Sequence, residues 1–477
     1  MARRFVDITP GSVADEGADA SAAGPFAIDD VSVRQVTARN APSVINAVFN
    51  VRSFWDGRAS SVFTGVTPFG DADRRANVLA DRGGRVAPEA VRLENASLAS
   101  QAVGPPLNAV EMSFDGRAWA RLGAKLLALA PLGRQQVSPA DSVLGAFANP
   151  QGSGLRPEFA YDALIRQAFS PVYWASALVV DVDGRVVDGA ESPQSRDEFS
   201  QMAYNFPLFF ALAIDAYEAT LVADDSRVDR FLNGDSAALS ANEVDGLNEF
   251  RAGGSQCTQC HQGAELSAAG VTTARNTLST PRDAGFFRTG VSAIGDDVGA
   301  AGSDGFGQPL FVGAPGDTAQ GAFKSPGLRG VELTGPYFHS GSAATLDQVM
   351  EFYARNGDVP DGGNLGPGMG NIRLSGQERA QIVAFLKALT DDRVRFERAP
   401  FDHPALCVPV GHAESAGVLQ RDGSLSGTGA AAIDLFALVA AVGAGGNGVP
   451  LQTFEEQLAG VGRDGSRAHA MATACTP

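Results

Sequence analysis

The chain has 477 residues, too many for one ordinary hydrophobic core, so at least two folded units are expected. A hydrophobic content of 44% with a mean hydropathy near zero describes a soluble globular chain and excludes a membrane-embedded or disordered one. The formal charge of −17 argues against nucleic acid as a partner and leaves a basic protein surface as the natural electrostatic complement.

Residues 1 to 30 are rich in Gly, Ala and Asp with little periodicity, which predicts a loose segment. The opening "MARRFVDITPGSVADEGADASAAG" has no apolar stretch of the secretory-leader type. From 40 to 66 short apolar runs alternate with turn residues, and 68 to 96 is expected to be an inserted loop. Helices are predicted over 116–130, 158–169 and 198–220, the last apolar around most of its surface and therefore buried. A boundary is placed near 235. Beyond it Ser240 followed by Glu243 has the form of a capping box opening a helix. Residues 267–343 form a Gly/Pro-rich loop region, followed by helices over 344–357 and 375–390. The run "AAAIDLFALVAAVGAGG" at 430–446 is short and carries Asp434, which predicts a buried helix and not a membrane span. The resulting expectation is a mostly α chain with an N-terminal unit (1–235), a second unit (236–400) and a C-terminal extension (401–477).

Two of the four cysteines and one of the five histidines fall together in "QCTQCH", Cys257-Thr-Gln-Cys260-His261. This spacing suits covalent c-type haem: two thiols add to the vinyl groups, and the adjacent imidazole is left beneath the iron. A thioredoxin-like redox pair wants a preceding strand and needs no His, and a zinc site wants a second Cys/His pair, which is not nearby. Haem attachment of this kind takes place outside the cytoplasm, so a periplasmic location is expected. There the remaining Cys407 and Cys475 can close the extension as a disulfide.

With the motif placed, the chain resembles the bacterial dihaem cytochrome c peroxidases, and most closely the branch containing the maturation enzyme of methylamine dehydrogenase. The stretches that carry the likeness include "RNAPSVINAVFNVRSFWDGRA", "QAVGPPLNAVEM", "FKSPGLRGVELTGPYFHSGSAATLDQVMEFY" and "LSGQERAQIVAFLKALT". They span about residues 31 to 395. The resemblance implies two cytochrome c-like helical domains, two haems, a tryptophan and a calcium ion between them, and hydrogen peroxide as substrate. The reductant is a small electron-donor protein or a protein side chain, with a homodimer as the expected assembly. Carried over residue by residue, Trp55 is the bridging tryptophan, and Gln101, Pro105 and Glu111 form the distal side of the peroxide-binding haem. Glu111 is placed to move a proton between the peroxide oxygens. Asn40, Thr334 and Pro336 are the calcium ligands, hard oxygen donors of the kind calcium prefers. Arg329 is expected to pair with a haem propionate.

The sixth ligand of the His261 haem is expected on the helix from 344, where Leu346, Val349, Met350 and Tyr353 share one face. Tyr353 aligns with the tyrosine ligand of the methylamine branch and would lower the potential. Met350, one turn earlier, is the competing ligand, with Met369 and His339 as remoter rivals. The family's first Cys-x-x-Cys-His, N-terminal to "RNAPS", is absent from this sequence. It lies upstream of Met1, comes from another polypeptide or has been lost; retention of Gln101, Pro105 and Glu111 favours the first. The expected function is therefore a dihaem peroxidase, with a non-enzymatic monohaem electron carrier as the alternative.

Overall fold

The computed structural model describes side chains for residues 37–108, 110–113, 116–273, 285–303, 307, 320–359, 365–408 and 438–460. Outside these, only the backbone of a few short elements is described, so the expectation for residues 1 to 30 lies outside the described side chains. Among the described residues helix is the commoner regular structure. Among the described residues strands occur only as two-stranded pairs.

The stretch expected as an inserted loop contains a hairpin, β1 (Val78–Asp81) paired antiparallel with β2 (Val86–Glu89). Val78, Leu79 and Ala80 are all buried. A strand covered on both faces has no polar/apolar alternation, and that removed the signal from the sequence. Two buried amides hold it. Asn205 Nδ2 and Gln201 Nε2 both donate to the Leu79 carbonyl, at 2.7 and 2.9 Å, and Leu79 N–H donates back to Asn205 Oδ1 at 2.8 Å.

Helices α1 (Ser97–Ala102), α2 (Trp119–Leu127) and α3 (Tyr161–Ala168) follow, the last two inside the predicted spans. The predicted helix over 198–220 is broken. It opens as a strand at Glu198–Ser200, makes one turn over Gln201–Tyr204 and restarts at Asn205 as α4 (Phe206–Glu218), with Pro207 in the first turn. Phe206, Leu208, Phe209 and Ala211 of α4 are buried with Phe63, Trp119 and Met202 in one apolar cluster.

A second cluster joins Val228, Leu247, Phe250, Met350, Ile382 and Phe385. It is built from α5 (Ala241–Arg251), α6 (Leu346–Ala354) and α7 (Gly376–Ala388). Each opens with a reciprocal capping box: Ser240 with Glu243, Thr345 with Gln348, and Ser375 with Glu378. Helices α5 and α7 cross at Gly246, where an added Cβ would lie 1.9 Å from the Gln381 carbonyl oxygen. The missing side chain therefore sets their separation.

The run expected as a buried helix at 430–446 instead contributes a strand, Asp434–Val439, antiparallel to Leu406–His412. Its apolar stretch is short, ends in glycines, and finds its hydrogen-bond partners in the preceding segment. Cys407 of that segment is disulfide-bonded. Cys475 lies outside the described residues. Among the described residues no helix is long and apolar enough to cross a membrane.

Candidate functional site

Helix α5 delivers the cysteine motif. At its end Ser255 Oγ donates to the Phe250 and Ala252 carbonyls, at 3.1 and 2.9 Å, occupying acceptors that the helix leaves open. Gln256 then takes a left-handed conformation (φ 58°), and Cys257–Gln259 form a single 3₁₀ turn. The His261 amide donates to the Cys257 carbonyl at 3.0 Å. The Cys260 carbonyl accepts from Ala268 N–H at 2.8 Å and from Ser325 Oγ at 2.6 Å. The motif is thus pinned to a segment 65 residues further on.

Cys257, Cys260 and His261 open onto a cavity of about 240 Å³ whose walls include Phe250, Leu328, Ile382 and Leu386. Burial raises the Cys257 thiol, and pushes Cys260 up to about 12 with help from the neighbouring sulfur. Both stay neutral at ordinary pH, the reverse of a reactive redox pair, which needs a depressed thiol pKa. Burial lowers His261, keeping the imidazole neutral. Its Nδ1 lies 2.9 Å from the Leu266 carbonyl, which accepts the Nδ1–H and leaves Nε2 with its lone pair. Two neutral thiols, one imidazole of fixed tautomer and apolar walls are the donor set that a c-type haem requires, and the residues fit it.

The expected sixth ligands also reach this cavity. Tyr353, Met350, Met369 and His339 all line it. Burial raises the Tyr353 phenol, and the neighbouring Cys260 and Cys257 add to the rise. Met350 is buried and packs into the second apolar cluster. His339 stacks on Phe323 with ring centroids 3.6 Å apart, and Ser292 Oγ lies 3.3 Å from its Nε2.

Trp55, Asn40, Thr334 and Pro336 are brought to the same wall. Asn40 Nδ2 donates to the Pro336 carbonyl at 2.5 Å, so two of the three expected calcium ligands are in contact with each other. Arg329 lines the cavity too, but its guanidinium is committed elsewhere. Nη1 and Nη2 form a bidentate pair with Asp229 at 2.7 and 2.8 Å, and Nε donates to the Ala264 carbonyl at 3.0 Å. Gln101, Pro105 and Glu111 are not on this cavity's wall. Gln101 closes α1, Pro105 opens a 3₁₀ turn, and Glu111 is exposed.

Three features of the site escaped the sequence. Ser325 anchors the Cys260 carbonyl. Arg39 forms a bidentate pair with Asp297 at 2.7 Å for both bonds, and reaches Asp56 as well. Lys324, one of three lysines in the chain, is buried on the cavity wall. Only the scarcity of lysine could have drawn attention to it.

Comparison with known proteins agrees with this geometry. The di-haem cytochrome c peroxidase family matches residues 13–136. Cytochrome c551 peroxidase of Nitrosomonas europaea is 32% identical over 215 residues, 44% of this chain and 53% of that protein. Cytochrome c551 peroxidase of Pseudomonas aeruginosa is 27% identical over 364 residues, 75% of this chain and 66% of that protein. The methylamine utilization protein MauG of Methylorubrum extorquens is 28% identical over 177 residues, covering 37% of this chain and 42% of that protein. The chain thus spans between about two fifths and two thirds of the length of these relatives. By sequence, the chain is similar to the di-haem cytochrome c peroxidases and to MauG.

Proposed function

We propose that the chain carries a c-type haem on Cys257 and Cys260, with His261 on one face of the iron and Tyr353 on the other, and that it serves the reduction of hydrogen peroxide. The observation that carries this reading is the convergence of two neutral thiols, a tautomer-fixed imidazole and a buried phenol on one apolar cavity. A haem bound there supplies a reversible one-electron carrier whose potential the tyrosine ligand lowers.

The residues around it divide the remaining work. His261, held through Nδ1, presents Nε2 in a single orientation. Trp55 lines the cavity, and its proposed role is to pass electrons towards a second porphyrin. Gln101, Pro105 and Glu111 are proposed to face that porphyrin, with Glu111 moving a proton between the peroxide oxygens. Calcium is proposed at Asn40, Thr334 and Pro336. To ligate it, the Asn40 amide would have to present Oδ1 to the ion in place of the Nδ2 that now donates to the Pro336 carbonyl. The proposed units are an N-terminal one (1–235) around the first apolar cluster, a haem-attaching one (236–400) around the second, on which the Arg227–Leu232 helix also packs through Val228, and an extension (401–477). Two cytochrome c-like domains, a small electron-donor protein or a protein side chain as reductant, a homodimer and a periplasmic location complete the proposal.

The test is stopped-flow reaction of the exported, haem-loaded protein with hydrogen peroxide, for the wild type and Glu111→Gln. Slower peroxide cleavage with unchanged haem content is expected of the variant. A wild type whose spectrum ignores peroxide contradicts the peroxidase reading, and a full-rate variant contradicts the role of Glu111.

A further inference from the structure

We propose that Lys324 is the carboxylate-binding cation of the cavity, its ammonium pairing with a propionate of the porphyrin attached at Cys257 and Cys260. This assignment rests on the haem reading and departs from the expectation that Arg329 does this work.

A porphyrin of this type brings two carboxylates into a largely apolar cavity, and each needs a cation or a hydrogen-bond donor. Two permanent cations stand on the wall, Lys324 and Arg329. Arg329 is largely committed: its charge is balanced by Asp229 through Nη1 and Nη2, and Nε holds the Ala264 carbonyl, so three of its five N–H donors are taken. His261 and His339 are kept neutral by burial, His339 down to about 4, and Glu265 carries the wrong sign.

Lys324 is in the opposite position. It is 6% exposed, and the only charge that acts on it among the described residues is Asp56. Asp56 is already shared by Arg39, at 2.5 Å, and Arg58, at 3.3 Å. No acceptor among the described residues takes a hydrogen bond from its ammonium. An ammonium on the wall of a largely apolar cavity gains when a ligand there supplies an anion. Burial, only partly offset by Asp56, pushes Lys324 down to about 8, so a carboxylate arriving beside it would restore the charge.

Its backbone is fixed on every side. Lys324 N–H donates to the Trp55 carbonyl at 2.8 Å, and its strand pairs with Phe286. The next residue, Ser325, holds both the Gly285 and Cys260 carbonyls, at 2.7 and 2.6 Å. Whatever Lys324 grips is therefore set in register with the haem-bearing cysteine on one side and the Trp55 backbone on the other.

The test is a crystal structure of the exported, haem-loaded wild type, together with midpoint potentials of the wild type, Lys324→Met and Lys324→Arg. The ammonium should lie at hydrogen-bonding distance from a propionate oxygen. Lys324→Met should keep its haem, because attachment is through sulfur, and shift the midpoint potential negative as a nearby positive charge is lost. Lys324→Arg should hold the wild-type potential. An unchanged potential in Lys324→Met overturns the assignment. So does a wild-type structure with the ammonium turned away from both propionates, which decides the matter even if the Met variant fails to accumulate. A colourless wild type overturns the haem reading itself and this assignment with it.

Discussion

The Trp55 indole donates its Nε1–H to the Asn40 carbonyl at 2.8 Å, while the Asn40 side chain donates to the Pro336 carbonyl at 2.5 Å. The second bond ties the N-terminal segment to a loop 296 positions away on the cavity wall, and the first holds the Asn40 backbone in place for it. Trp55→Phe keeps the aromatic bulk and removes the donor, leaving the Asn40 carbonyl without this partner. A loss of about 1 kcal/mol in denaturant unfolding is expected, with haem content unchanged. Full retention of stability would show that the indole N–H does not help to hold Asn40 in place.

The assignment of the sixth ligand can be separated cleanly. Tyr353→Phe deletes only the phenol oxygen, and Met350→Leu deletes only the thioether. The low-spin electron paramagnetic resonance signal of the haem-loaded protein should be lost or altered in the first and preserved in the second. The reverse pattern makes Met350 the ligand.

Helix packing gives a prediction independent of any haem. Gly246→Ala drives a methyl group into the Gln381 carbonyl, backbone that cannot swing aside, so α5 and α7 must separate. A loss of at least about 2 kcal/mol in urea unfolding is expected. The yield of haem-loaded protein should fall too, because α5 runs directly into Cys257. A variant as stable as the wild type would contradict the close crossing of the two helices.

Stability should respond to pH through Glu218. Burial, reinforced by the charge of Asp215, pushes its carboxyl from 4.5 up to about 7. The folded chain therefore holds a proton that the unfolded chain releases between those two values. The stabilisation is fully present below about pH 4.5 and is lost as the pH rises to about 7. Glu218→Gln is neutral throughout. It should be more stable than the wild type at pH 8, by on the order of 1–3 kcal/mol, with the difference vanishing near pH 4.5. Denaturant midpoints at the two pH values check this, and a variant less stable at pH 8 contradicts it.

What the sequence revealed was local. The cysteine spacing, the Ser240–Glu243 capping box and the shared face of Met350 and Tyr353 each depend on residues within one helical turn or two, and the structure has them in place. What it concealed was made by distant partners. Leu79 is a strand residue because Asn205 and Gln201 satisfy its backbone from more than a hundred positions away. The strand at Asp434–Val439 owes its form to Leu406–His412. Arg329 was expected at a propionate because nothing in its neighbourhood names Asp229 as its partner. Lys324 looked like any surface lysine until the fold buried it.

The most direct measurement is the pyridine haemochrome spectrum of the chain purified from a host that attaches haem outside the cytoplasm, with the labelling state of Cys257 and Cys260 read by mass spectrometry. A red protein with a thioether-type spectrum, and both sulfurs closed to alkylation, is the predicted result. A colourless protein in which both thiols take the label would contradict it.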